Sequence, residues 1–369
     1  MTVDVLGGDI RMKRDIYNLK NQIDTAEARK QISSLFKRAR DNSKPTKCAI
    51  CGKSISSFCN SHSVPRFVLE SISSSGIILT SNALVGFDLM DDKVGLKKAG
   101  TFHYICNECD GKWFHNYENP KTLLQTPSDI VLAEIALKDS LLMLSKRNQE
   151  KELNKLLLEK TSILGLMNVS EAYELDYRDF ELEKERYIEI IEKELKNGFH
   201  LLFYTVLPYT IPIATQTGIA LSTDTEGRVV NNLMDFSQDV YIQTMHLCLF
   251  PMKGQSVVLA FYHKADKNYK NLRHQLNRMS LENKLKYFNY ILFQYTENYY
   301  FSNTVSDIIR NNPQLQKLSR ESNGNPNFGI MGLKDIITPY KTVDIDDIPN
   351  LLSEQYSLEQ FGDNNNNDK

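Results

Sequence analysis

Two cysteine pairs of identical spacing carry the strongest chemical signal in the chain. Cys48-Ala49-Ile50-Cys51 and Cys106-Asn107-Glu108-Cys109 each place two thiols three residues apart. That spacing lets one tight turn aim both sulfurs at a single ion, and Gly52 after the first pair tolerates the positive φ such a turn needs. Four thiolates form a closed tetrahedral set for Zn2+, with no position left for water or substrate, so an ion held there is structural. It would join the two ends of segment 52–105. Five of the six cysteines lie between residues 48 and 109, and the N-terminus shows no apolar leader. A reducing, cytoplasmic location is therefore expected, and there paired C-x2-C motifs favour metal over disulfide.

Between the pairs sits Ser61-His62-Ser63-Val64-Pro65-Arg66, and Asp110 follows Cys109 directly. An imidazole titrates near neutrality and can act as a general base. A carboxylate suits a hard, oxygen-preferring cation, or it can simply complement a helix N-terminus. Cys59 and His62 are also spaced as C-x2-H, so His62 could be a metal ligand instead of a base.

Taken in order, these motifs resemble the zinc-bound version of the HNH, or His-Me finger, endonuclease family over about residues 47–118. In that family a C-x2-C knuckle precedes a strand bearing Asp-His-x-x-Pro, and a second C-x2-C opens a helix followed by His, Asn or Asp. The resemblance implies a treble-clef ββα-metal module hydrolysing phosphodiester bonds in DNA, with RNA as the second choice. It implies His62 as general base, Asp110 as ligand to a catalytic Mg2+ or Mn2+ separate from the zinc, and Asn82 in place of the family's middle Asn. The chain departs from the family at Ser61, where Asp is usual, so another metal ligand is required. On a continuous helix Glu118 would lie about 80° around the axis from Asp110 and His115 about 140°, which favours Glu118, as ligand or as orienting group. If nothing replaces the missing acid, the module is a non-catalytic zinc scaffold for nucleic acid or protein.

The positioning elements follow from hydrophobic periodicity. A helix over 10–42 ends in the basic run Lys37, Arg38, Arg40, either a phosphate-contacting arm or a solvated helix end complementing the dipole. Arg66 and Lys112 are further candidates for phosphate. Short strands are expected at 77–79, 83–87 and 101–105, and a helix from Asp110. Thr126-Pro127 starts a helix through Lys146 and on to Lys160. Another helix runs over 170–196. Residues 200–206, 211–221, 228–233, 240–250 and 256–263 read as strands, and Val257 to Phe261, apolar on both faces, as a central one. Successive strands without helices between them argue for an antiparallel sheet. Helices follow at 269–278 and 281–300, the second capped by Ser280.

The fold class read from this pattern is α+β: a helical arm (1–46), a zinc-stapled HNH-like module (47–125), a helical segment (126–198), an α+β sensing, regulatory or oligomerisation unit (199–320) and an irregular, partly disordered tail (321–369). Residues 1–120 carry 17 Lys+Arg and 13 Asp+Glu, and the remainder 27 and 33, so a formal net charge of −2 divides into +4 and −6. A basic front is compatible with nucleic acid. No run of 18 apolar residues marks a membrane span. A nuclease-like module joined to an unrelated large unit is the architecture of bacterial phage-defence or mobile-element effectors, with a homo-oligomer or partner subunit engaged through the C-terminal region.

Overall fold

The computed structural model describes residues 25–85, 91–160, 170–233, 235, 237–305, 307–320 and 343–360. The expected helical stretch 10–24 and the polar tail 363–369 lie outside them. The elements are α1 (Thr25–Asn42), β1 (Ser61–His62), α2 (Arg66–Ile72), β2 (Ile77–Thr80), α3 (Asn82–Val85), β3 (Lys93–Gly95), β4 (Thr101–Phe102), α4 (Asn107–Trp113), α5 (Pro120–Leu123), α6 (Asp129–Lys160), α7 (Ser170–Glu192), β5 (Phe199–Leu207), β6 (Ile213–Ile219), β7 (Met245–Met252), β8 (Gln255–His263), α8 (Lys270–Arg278), α9 (Leu281–Tyr295), β9 (Tyr299–Ser302), α10 (Asp307–Arg310) and α11 (Pro313–Arg320). The chain is α+β.

Seven strands form one sheet, ordered β3-β2-β9-β6-β7-β8-β5, with every pair antiparallel. β8 shows why the sheet has two covered faces. Alternate residues point to opposite sides of a strand. Val257, Leu259 and Phe261 join one apolar cluster, and Val258, Ala260 and Tyr262 join the other. The first cluster includes α6, α7 and the cysteine-bearing segment; the second includes α8, α9, α11 and residues 343–352. A strand buried on both faces reads as a continuous apolar run, which is how this one appears in the sequence.

The sheet also crosses the sequence boundaries. β2 and β3 belong to the 47–125 segment, yet β2 pairs with β9, as Leu79 opposite Phe301, and β9 pairs with β6. Gly100 sits at the same junction. Its φ is +61°, and a Cβ there would lie 2.6 Å from Ser63 Oγ and 2.7 Å from Tyr300 Oη. Glycine adopts that φ without strain and leaves room for both side chains.

Several expected elements differ. Residues 83–87 do not form a strand: α3 covers Asn82–Val85, and 86–87 lie outside the described residues. The segments 228–233 and 240–244 contribute only the isolated bridge of Thr223 with Val229. The helix starting at 281 has Ser280 as its cap but ends at Tyr295, and Tyr299–Ser302 turns into β9 because the β2 and β6 edges offer a backbone ladder. The helix expected to begin at Thr126 begins at Asp129, where Ser128 Oγ accepts the Val131 amide at 3.4 Å.

α6 is the central support. Every residue from Val131 to Leu144 is buried, which explains why its sequence shows no strong apolar stripe. No helix among the described residues is long and apolar enough to cross a membrane.

Candidate metal centre and acidic cluster

The four expected cysteines converge. Cys48, Cys51, Cys106 and Cys109 place their sulfurs within 4.8 Å of one another, and Cys51 and Cys106 are 3.9 Å apart. Sulfurs on a zinc-centred tetrahedron are separated by about 3.8 Å, so the set fits the ion. Backbone amides complete the cradle. The Cys106 N–H points to Cys48 Sγ at 3.4 Å, and the Cys109 N–H to Cys106 Sγ at 3.4 Å. Burial opposes ionisation of Cys48, but amide hydrogen bonds from Cys51, Cys106 and Ile50 outweigh it and bring the thiol down to about 7. These four side chains could hold zinc. Among the described residues no other group of three or more His, Cys, Asp and Glu ligands converges in this way.

Beside this centre the acidic residues meet a cation from another element. Lys138 of α6 is fully buried. Its Nζ lies 2.8 Å from Asp110 Oδ1 and 3.3 Å from Glu118 Oε1, and it donates to Ser61 Oγ at 3.0 Å. The ammonium also stands 3.7 Å from the centre of the Phe114 ring. Ser61 Oγ in turn donates to Asp110 Oδ1 at 2.6 Å. Burial works against the Asp110 charge, but Lys138, Ser61 and Cys59 outweigh it and hold the carboxyl below its ordinary value. Burial, followed by the Asp110 charge, pushes the Cys59 thiol up to about 12.

Asp110 and Glu118 therefore do meet, though not by the helical geometry expected. α4 stops at Trp113. Beyond it Glu134 of α6 accepts Asn116 Nδ2 at 2.6 Å and the Tyr117 amide at 2.8 Å, which fixes the turn. The angle between Asp110 and Glu118 on a continuous helix is thus irrelevant; the turn and Lys138 bring them together.

His62 is set apart from this cluster. Its neighbour Ser61 is buried and faces Asp110, whereas His62 is half-buried and its Nε2 lies 3.1 Å from the Leu96 carbonyl oxygen. Side chains alternate along a strand, so adjacent residues of β1 address different neighbours. Asn82 is buried at the start of α3 and lines a cavity whose wall contains neither His62 nor Asp110. His115 is exposed and bonded to the Lys112 carbonyl at 2.9 Å. Arg66 is exposed and paired with Glu70 at 2.8 Å. Lys112, Lys37, Arg38 and Arg40 are exposed.

A second polar network lies under the sheet. Asp139 Oδ2 is 2.7 Å from His246 Nδ1, and His246 Nε2 is 3.1 Å from Tyr187 Oη. Gln216 Nε2 donates to Asp139 Oδ1 at 3.1 Å. Nearby, Ser140 and Tyr241 donate to Glu183 at 3.2 and 3.0 Å. Burial raises the carboxyls of Asp139 and Glu183 above their ordinary range. A buried hydrogen-bonded network of this kind specifies how helices seat on a sheet. Asp139 and His246 lie 107 residues apart, so no local spacing in the sequence pairs them. The available signal was Lys138-Asp139, two charges inside the apolar run Ile135 to Leu144.

Compared with known protein families, with curated proteins and with solved structures, the chain matches none.

Proposed function

We propose that this chain is a zinc-stapled nucleic-acid-binding protein with the outline of a His-Me finger module, in which the hydrolytic metal position has been taken by an amino-acid cation. The observation carrying this reading is Lys138 Nζ, seated 2.8 Å from Asp110 and 3.3 Å from Glu118. A divalent ion would need those same oxygens, and an ammonium there satisfies their charge without polarising a phosphodiester or generating hydroxide. Ser61 agrees, since it donates to Asp110 where the family's Asp would repel it. On this reading Lys37, Arg38 and Arg40 contact phosphates. They stand exposed at the end of α1, whose Leu35 and Ala39 anchor it on Leu153 and Leu156 of α6.

The second reading is a Mg2+- or Mn2+-dependent endonuclease, with His62 as base and Asp110 as metal ligand, serving as an effector of phage defence or a mobile element. It is favoured by the partial exposure of the Asp110 and Glu118 side chains, 21% and 38%.

One experiment separates the two. The zinc-loaded chain is titrated into labelled double-stranded DNA, single-stranded DNA and RNA by fluorescence anisotropy at several salt concentrations. The same substrates are then incubated with Mg2+ or Mn2+ and resolved on gels, with His62→Ala alongside. Binding that weakens steeply with salt, without cleavage, is expected. Replacing Lys37, Arg38 and Arg40 together by Gln should cost about tenfold or more in affinity at low salt. Cleavage lost in His62→Ala would establish the enzyme instead; absence of binding at about 50 mM salt would remove the nucleic-acid reading.

A further inference from the structure

A cavity of about 300 Å³ opens where the cysteine-bearing segment meets the rest of the molecule. Its wall draws on the end of α1, the β2–α3 junction, β4, the middle of α6 and the residues leading into β9. It reaches neither the four-cysteine centre nor the Lys138 cluster.

The lining has a polarity. Arg40, Lys44 and Lys146 bring three cations to it, against the carboxylates of Asp91 and Glu297. Lys44 is engaged by Asp41 at 2.7 Å. Arg40 and Lys146 make no ion pair or hydrogen bond through their side chains among the described residues, and Lys146 is half-buried. A half-buried ammonium without a protein partner is costly unless water or a ligand anion meets it. His103 reports the same local field. Its imidazole lies in the wall, and its pKa is lowered by burial and then by the positive charges of Lys44 and Arg40.

The neutral part of the wall offers hydrogen bonds that the protein does not use. Ser81, Ser145 and Gln149 line the cavity, and none of their side chains bonds another described residue. Two hydroxyls and a carboxamide suit sugar hydroxyls and the mixed donor and acceptor edge of a heterocycle. Phe102 adds an aromatic surface. Cavities for small ligands begin at about 300 Å³ and combine apolar walls with a few placed polar groups.

We propose that this cavity binds a nucleoside monophosphate, with its phosphate on Arg40 and Lys146 and its nucleoside against Gln149, Ser81 and Phe102. The nucleotide is either free or the 5′-phosphorylated end of a strand. This site shares Arg40 with the nucleic-acid surface proposed above; Lys146, Gln149, Ser81 and Phe102 belong to the cavity alone. Because its wall spans α1, β4, α6 and the approach to β9, an occupant would tie the cysteine-bearing segment to the sheet.

Isothermal titration of the zinc-loaded full chain tests this with AMP, GMP, CMP and UMP, with adenosine and inorganic phosphate, and with a short oligonucleotide carrying or lacking a 5′-phosphate. One-to-one binding of at least one mononucleotide is expected. It should be about tenfold or more tighter than the matching nucleoside, and weakened by a similar factor in Lys146→Gln and in Arg40→Gln. Arg40 is exposed, so its replacement should leave folding intact even if that of Lys146 does not. Preference for the phosphorylated oligonucleotide over its unphosphorylated form, with mononucleotides weak, would assign the strand end as the source. Failure of every nucleotide and oligonucleotide to bind, equal binding by inorganic phosphate alone, or affinities unchanged in both variants would overturn the proposal.

Discussion

Lys138→Met should destabilise the cysteine-bearing segment far more than its loss of volume predicts. Lys138 is completely buried, and it meets Asp110 at 2.8 Å with the Asp110 side chain only 21% exposed. Glu118 is 38% exposed, so its attraction is largely screened and contributes little. The cost therefore rests on Asp110. Removing one member of a buried pair strands the other charge, at roughly 3–5 kcal/mol. The low end, about 3 kcal/mol, is expected because Ser61 still donates to the carboxylate. Trp113 is the sole tryptophan and lies buried in α4 beside the cluster, so its fluorescence during urea unfolding of the zinc-loaded chain reports the local transition. Asp110→Asn combined with Lys138→Met should recover most of the loss, because pair members couple non-additively. A single-variant cost under about 1 kcal/mol, or a double variant as damaged as the sum of the singles, would refute the claim that Lys138 neutralises this site. A companion measurement follows from the same reasoning. Mn2+ should raise the melting temperature of Lys138→Ala but not of the parent, since only the variant frees the carboxylate oxygens for a cation.

Elemental analysis should return about one zinc per chain, and Cys48→Ser should abolish it. Zinc removal should expose 47–60 and 96–119 to proteolysis while β5 to β8, held by the sheet and both apolar clusters, stay protected; uniform cleavage would count against a local role for the ion. Gly100→Ala should cost clearly more than Gly76→Ala in thermal unfolding. Both positions have positive φ, +61° and +73°, but only the Cβ at 100 meets atoms within 3 Å. The backbone penalty alone is about 1–2 kcal/mol, and equal losses would show that the Ser63–Tyr300 contact yields freely. Burial, then Glu183, raises the Asp266 carboxyl to about 7. The folded state thus holds this proton more tightly than the unfolded chain, so Asp266 is increasingly destabilising as pH rises from about 4 through 7. Asp266→Asn should accordingly gain stability relative to the parent across that interval and level off above it. A difference that is flat with pH would contradict the assignment.

The cysteine spacing was sufficient to identify the four-thiol centre, because two C-x2-C turns can be aimed by local backbone geometry. The run Val257 to Phe261 likewise announced a strand covered on both faces, since that environment demands apolar residues at every position. The helical angle between Asp110 and Glu118 failed because α4 ends at Trp113, and beyond it Asn116 Nδ2 and the Tyr117 amide donate to Glu134 of α6. The strand at 299–302 was hidden inside a helical aromatic pattern; its backbone is drawn into the ladder by edges more than 200 residues and about 80 residues away in sequence.

The sequence by itself determined which four cysteines could bind zinc and that the chain joins helices to an antiparallel sheet. Those properties depend on spacing and periodicity within a few turns of chain. Only the tertiary structure decided that Asp110 and Glu118 share a buried ammonium, that His62 faces elsewhere, and that the sheet runs through both halves. The first depends on α6, whose Lys138 and Asp139 point about 100° apart on one helix, so that Lys138 meets Asp110 while Asp139 meets His246. A charge in an apolar helix shows that a partner exists; which partner is settled by where the other elements pack.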